Sequence, residues 1–130
     1  MKPITVLLVD DNQKFLDITT QFLLLEGESK IRVLGTAVNG EEGIRKTIVL
    51  KPQIVLVDLA MPGLSGLDVI TILRKEQPDL GIIALTLMET NGYRNASLSA
   101  GADDFLHKSV MNTDLLPKLR QVYQTVQNRG

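Results

Sequence analysis

The sequence contains no cysteine. That excludes disulfides, thiol nucleophiles and cysteine metal sites, and it fits a reducing, cytoplasmic setting. No apolar run approaches the ~18 residues of a membrane span. The opening stretch MKPITVLLVD lacks the apolar length and small-residue cleavage site of a signal peptide. An excess of one charge is also missing. Fourteen basic residues against 15 acidic ones leave a net charge of -1 at pH 7. Nothing in that balance favours nucleic-acid or membrane binding by this segment. There is no G-x-x-x-x-G-K-[ST], and no G-x-G-x-x-G follows the first apolar run, so the common nucleotide-binding loops are excluded. Linkers, repeats and low-complexity stretches are absent too. The 130 residues are expected to form one domain, 1–130, large enough to bury a core without staples.

What is present is a regular alternation. Apolar runs rich in β-branched residues lie at 4–9, 54–57 and 81–86, with weaker ones at 31–38 and 103–108. Runs without polar alternation suit strands buried on both faces, as in parallel sheets. Helical spacing fills the intervals. Phe15, Ile18, Phe22 and Leu25 mark one face over 13–25; Ile44, Ile48 and Val49 do so over 41–50. Leu67, Ile70 and Leu73 serve 66–76, and Leu115, Leu119, Val122 and Val126 serve 114–127. The segment 91–101 has few large apolar residues and predicts a short helix stopped at Gly101. Thr113 is the expected cap of the last helix, with Pro117 a few residues inside it. Strand and helix alternate five times, which predicts an α/β fold: a doubly wound, flavodoxin-like (βα)5 sandwich around a five-stranded parallel sheet in order 2-1-3-4-5.

In such sheets ligands bind at the carboxyl ends of the strands. Strand one ends in Asp10-Asp11, strand three in Asp58, strand four in Thr86 and strand five near Lys108. Three carboxylates at one edge repel unless a cation or protons intervene, and an all-oxygen cluster suits a hard cation, most simply Mg²⁺. Such a cation and a lysine facing one carboxylate would neutralise an incoming phosphoryl group, with an aspartate as nucleophile and Thr86 bonding a phosphoryl oxygen.

The pieces LLVDDN (7–12), VDLAMPGLSGLDVI (57–70), IIALT (82–86) and GADDFLHKS (101–109) stand in order along the chain. In them the sequence resembles the receiver domain of two-component response regulators from end to end. The resemblance implies that Asp58 takes a phosphoryl group from a sensor histidine kinase. It implies that Asp10, Asp11, Asp58 and the backbone carbonyl of Ala60 hold Mg²⁺. Lys108 would pair with the phosphoryl group, Thr86 would turn onto it, and Phe105 would follow as the aromatic switch. The readout face would be the fourth helix, fifth strand and fifth helix, with a homodimer as one possible output. Slow self-dephosphorylation is the only catalysis implied.

Three positions depart from the family pattern. Phe105 stands where tyrosine is common, Leu87 where a small residue is usual, and Ser109 where many receivers carry proline. Leu87 is expected to crowd the site. With Ser109, the stretches IRVLGTAVNGEEGI and TDLLPKLRQV look most like the subclass joined to a LuxR-type helix-turn-helix domain. DNA would then be bound by a further domain, making 1–130 the N-terminal part of a longer regulator.

Each residue also has a plainer role. Asp10 and Asp11 could cap the first helix, and Asp58 could end a strand before the Pro62-Gly63 turn. Thr86 and Phe105 could be ordinary core residues, and Lys108 a solvated charge. His107 reads as a strand-end residue, Met61 and Met88 as packing, and Asp103, Asp104, Glu41 and Glu42 as solvated or helix-start charges. Among rival functions, a haloacid-dehalogenase-type phosphatase would place a second aspartate where Ala60 stands. An FMN-phosphate loop would not be acidic like DDNQK. The remaining alternative is a constitutive, unphosphorylated interaction module, which would have no need of the Asp, Thr and Lys set.

Overall fold

A computed structural model of the chain describes residues 2–88 and 91–129, with Asn91 described by its backbone alone. The five apolar runs form strands β1 (Ile4–Val9), β2 (Ile31–Ala37), β3 (Ile54–Asp58), β4 (Gly81–Thr86) and β5 (Asp104–His107). The helices between and after them are α1 (Gln13–Glu26), α2 (Gly40–Leu50), α3 (Gly66–Glu76), α4 (Asn91–Ala100) and α5 (Met111–Arg129). All strand pairs are parallel, in the order β2-β1-β3-β4-β5, as expected from the sequence.

Alternation along the central strands divides the core into two layers. Leu7, Val9, Val55, Val57, Ile82 and Ala84 face one side, where α3 adds Val69, Ile70 and Leu73. Val6, Leu8, Ile54, Leu56, Ile83 and Leu85 face the other, where α1 adds Leu16 and Leu23 and α5 adds Leu115, Leu119 and Val122. Each such Val, Leu or Ile side chain stabilises the fold by roughly 1.5–3 kcal/mol. The weaker run at 31–38 is the edge strand β2, most of it only half-buried.

Several helix faces differ from the spacing-based expectation. In α1 the buried residues are Leu16, Thr19 and Leu23, while Ile18 and Leu25 are exposed; Phe15 and Phe22 are half-buried at the margin. In α2 the buried face is Gly40, Gly43 and Thr47, and Ile48 and Val49 point outward. The reason is proximity to the sheet. A Cβ on Gly43 would come within 2.9 Å of Val9, so the helix sits too close for a large residue there. The short α4 ends at Gly101, with φ +123°, as expected. The last helix begins at Met111 rather than after Thr113, whose Oγ1 donates to Val110 O at 3.2 Å inside the first turn. Pro117 therefore lies well inside α5.

Asp103 is not a solvated charge. Its carboxylate accepts from Arg74 Nη2 at 2.9 Å, from the Ile82 N–H at 2.9 Å and from Arg129 Nη1 at 2.5 Å. Arg74 also bonds the carbonyls of Gly101, Pro78 and Leu80, and Arg129 bonds that of Leu80. This network ties α3, β4, β5 and the end of α5 together at the amino ends of the strands. The site lies at the opposite edge.

Candidate functional site

The first turn after β1 is organised by Asn12. Its side chain caps α1 by accepting the Phe15 N–H at 3.1 Å, so the capping role open to Asp10 and Asp11 is already filled. Asp10 is buried. Its Oδ1 accepts the Asn12 N–H at 2.9 Å, and its Oδ2 accepts from Lys108 Nζ at 2.6 Å. Asp11 is exposed.

Asp58 is the last residue of β3, in register with Leu85 of β4, and is 4 % exposed. The start of α3 folds back over it. The Gly66 N–H donates to Leu59 O at 3.3 Å, and a Cβ on Gly66 would overlap the Asp58 carbonyl oxygen. Glycine is therefore required there by space. Ser65 caps α3 by accepting the Asp68 N–H. Ala60, exposed, donates its N–H to Asp58 Oδ1 at 3.4 Å.

Lys108 follows β5 and reaches across the sheet edge. Its ammonium stands 3.5 Å from Asp58 Oδ1 as well as 2.6 Å from Asp10. Its third neighbour is the ring of Phe15, with the centroid 4.2 Å from Nζ. Burial, then the Asp10 carboxylate, push the Asp58 carboxyl up to about 6 against the opposing pull of Lys108 and the Ala60 N–H. Thus negative charge at Asp58 is costly before any cation arrives. Oxygens of Asp10, Asp11 and Asp58 all lie within 4.8 Å of one another. This all-oxygen set, with one member open to solvent, fits a hard divalent cation that keeps some of its water.

Thr86 ends β4 at the same edge and is fully buried. Its Oγ1 accepts the Met88 N–H at 2.9 Å, so the hydroxyl is turned to its own loop. Phe105 pairs with Ala84 in the sheet and is half-buried against the layer beneath α4. Leu87 is 69 % exposed, which leaves little of its side chain to crowd Asp58. Met61 is buried as expected, whereas Met88 is 48 % exposed.

Two features were missed in the sequence. Phe15 belongs to the apolar spacing of α1, and no spacing signal marks its contact with Lys108. His107 bridges two loops. The Ser109 N–H donates to its Nδ1 at 3.1 Å, and an amide can only donate. Nδ1 is therefore the bare nitrogen. The Ser109 hydroxyl, 2.6 Å away, also donates to it, and Nε2–H donates to Leu87 O at 3.0 Å. One imidazole thus links the loop after Thr86 to the loop after Lys108.

The family model described as "Response regulator receiver domain" matches residues 6–120. The chain belongs to the response regulator receiver family. Response regulator GacA of Pseudomonas viridiflava is 33% identical over 121 residues, which cover 92% of this receiver and 55% of that protein. A protein-glutamate methylesterase/protein-glutamine glutaminase of Desulfitobacterium hafniense is 41% identical over 108 residues, 82% of this chain and 27% of that protein. The chain thus spans about half the length of the first relative and about a quarter of the second. The response regulator domain of Thermotoga maritima CheB has the same fold, with a TM-score of 0.85 at 27% identity over 94% of this chain and 97% of that one. No helix among the described residues is long and apolar enough to cross a membrane.

Proposed function

We propose that this receiver is a phosphoacceptor switch in which Asp58 takes a phosphoryl group from the phosphohistidine of a sensor histidine kinase. One observation carries the reading: a buried strand-end carboxylate shares a single lysine ammonium with a second buried carboxylate, 3.5 Å and 2.6 Å away. An Asp58 carboxylate oxygen attacks phosphorus. The P–O bond forms as the P–N bond to the donor imidazole breaks, and that imidazole keeps the electron pair and is protonated from solvent. Asp10, Asp11, Asp58 and the carbonyl of Ala60 are the proposed holders of Mg²⁺, which would supply charge neutralisation on the phosphoryl oxygens. Lys108 leaves Asp10 for the new phosphoryl oxygens, and Thr86 exchanges the Met88 N–H for one of them. These bonds bias an existing equilibrium, with Phe105 following and the α4-β5-α5 face reading it out. Water later cleaves the acyl phosphate, releasing inorganic phosphate and restoring the carboxylate.

The proposed setting is the cytoplasm. There 1–130 acts as the N-terminal receiver of a longer regulator, and DNA is bound by a LuxR-type domain outside it, with homodimerisation as one route of output. Ser109, with the stretches IRVLGTAVNGEEGI and TDLLPKLRQV, supports that output.

The test is intact mass after incubation with acetyl phosphate, with and without Mg²⁺, on the wild type and Asp58→Asn. A gain of one phosphoryl group that needs both the metal and Asp58 supports the reading. No phosphoryl gain from acetyl phosphate or a kinase panel, together with no binding of beryllofluoride, would leave a constitutive interaction module in its place.

A further inference from the structure

Phosphoryl transfer to Asp58 requires the Lys108 ammonium to stay at the sheet edge, although lysine is a compact charge on a flexible stem. The Lys108 side chain is only 9% exposed. Two of its neighbours are the carboxylates of Asp10 and Asp58. The third is uncharged: the face of Phe15, 4.2 Å from Nζ to centroid. A cation at that distance is attracted by the negative face of the ring, and more strongly where water is excluded.

The backbone that carries the ring is itself held. The Phe15 N–H is held by Asn12, and the Asn12 N–H by Asp10. The metal-edge carboxylate, the helix cap and the ring therefore form one linked unit. Phe15 and Lys108 also line a cavity of about 240 Å³ between α1 and α5, together with Phe22, Met111 and Leu115. An aliphatic side chain would serve that apolar wall as well as a phenyl ring. Only the ring offers a face to the ammonium.

We propose that Phe15 is a positioning residue for phosphoryl transfer: its ring face holds the Lys108 ammonium beside Asp58. The proposal rests on Asp58 being the acceptor. A ring suits the task better than a third carboxylate. It adds no negative charge to a crowded site, and its attraction has no single acceptor direction. The ammonium can slide from Asp10 towards a phosphoryl group without losing it.

The test replaces Phe15 in the full chain with mono-, di- and trifluorinated phenylalanines, which weaken the ring face at nearly constant volume, and with tyrosine and leucine. Two quantities are read: the rate of Mg²⁺-dependent phosphorylation by acetyl phosphate, and the proton shift of the Lys108 ε-methylene in metal-free protein, which a ring face moves upfield. The logarithm of the rate is expected to fall stepwise with fluorination, by roughly tenfold in total, with the thermal midpoint unchanged. Phe15→Tyr keeps the wild-type rate and upfield shift; Phe15→Leu loses the shift and reacts as slowly as the trifluorinated variant. A flat rate across the fluorinated series overturns the proposal, as does a Lys108 shift unchanged by Phe15→Leu. If the wild type accepts no phosphoryl group from any donor, the reading of Asp58 falls and the role of Phe15 in transfer falls with it. The Lys108 shift then separates that failure from absence of the contact itself.

Discussion

Asp58 carries a cost that the fold accepts. Its pKa, raised from the usual 3.8 to about 6, means the native state binds more protons than the unfolded chain between those values. Stability from this group is therefore greatest below about pH 4 and is lost as the pH rises through about 6. Asp58→Asn removes the unfavourable charge. Without Mg²⁺ at pH 7.5 it is expected to be more stable than the wild type by roughly 1–3 kcal/mol, with the advantage gone near pH 4. Urea unfolding at the two pH values checks this, and equal stabilities at pH 7.5 would refute it. Added Mg²⁺ should stabilise the wild type and leave the variant nearly unchanged. The strand-end aspartates, Thr86 and Lys108 were legible as a set because a parallel sheet collects strand ends at one edge. Phe15 was not, because cation–ring contacts join residues far apart in the chain and leave no periodic trace.

Among the elements, α1 and α5 show where sequence patterns lose their force. Apolar residues occupy positions 15, 16, 18 and 22 to 25 of α1, so two overlapping stripes fit the helical period. Packing against the sheet selected the one through Leu16 and Leu23. In α2 the period was read from large residues, whereas close approach to Val9 gave the buried face to glycines and a threonine. The strands were easier to read, because a run buried on both faces needs no choice of side. In α5, Thr113 resembled a cap, yet the turn at Lys108–Val110 runs directly into a helix beginning at Met111. That leaves Pro117 exposed inside the helix, with no N–H for the preceding turn. Pro117→Ala should stabilise the domain by roughly 1–3 kcal/mol, measured by the urea midpoint. A loss of stability would show that the proline relieves strain elsewhere.

At the scale of the whole molecule, the sheet has two unlike ends. Carboxylates gather at one. At the other, two guanidinium groups converge on Asp103, whose side chain is 10 % exposed. Neighbouring Asp104 has one ion-pair partner among the described residues, Lys118 at 3.2 Å, in a more exposed setting, and its Oδ1 accepts the Phe105 N–H at 2.7 Å. The two adjacent aspartates, both read from the sequence as solvated, should therefore behave differently. Asp103→Ala is expected to cost roughly 2–4 kcal/mol, because it strands two partly buried cations. Asp104→Ala should cost about 1 kcal/mol or less. Similar losses for the two variants would contradict the network. The Arg129 anchor also changes how the chain would bear a mechanical load. A helix end ordinarily frays, so tension on it would peel one turn at a time. Here the last turn is riveted to Leu80 and Asp103, and through Asp103 to Arg74. Tension applied at that end would be shared at once by β4, the entry to β5 and α3, and the helix would yield by shear of a whole corner of the molecule instead of unzipping.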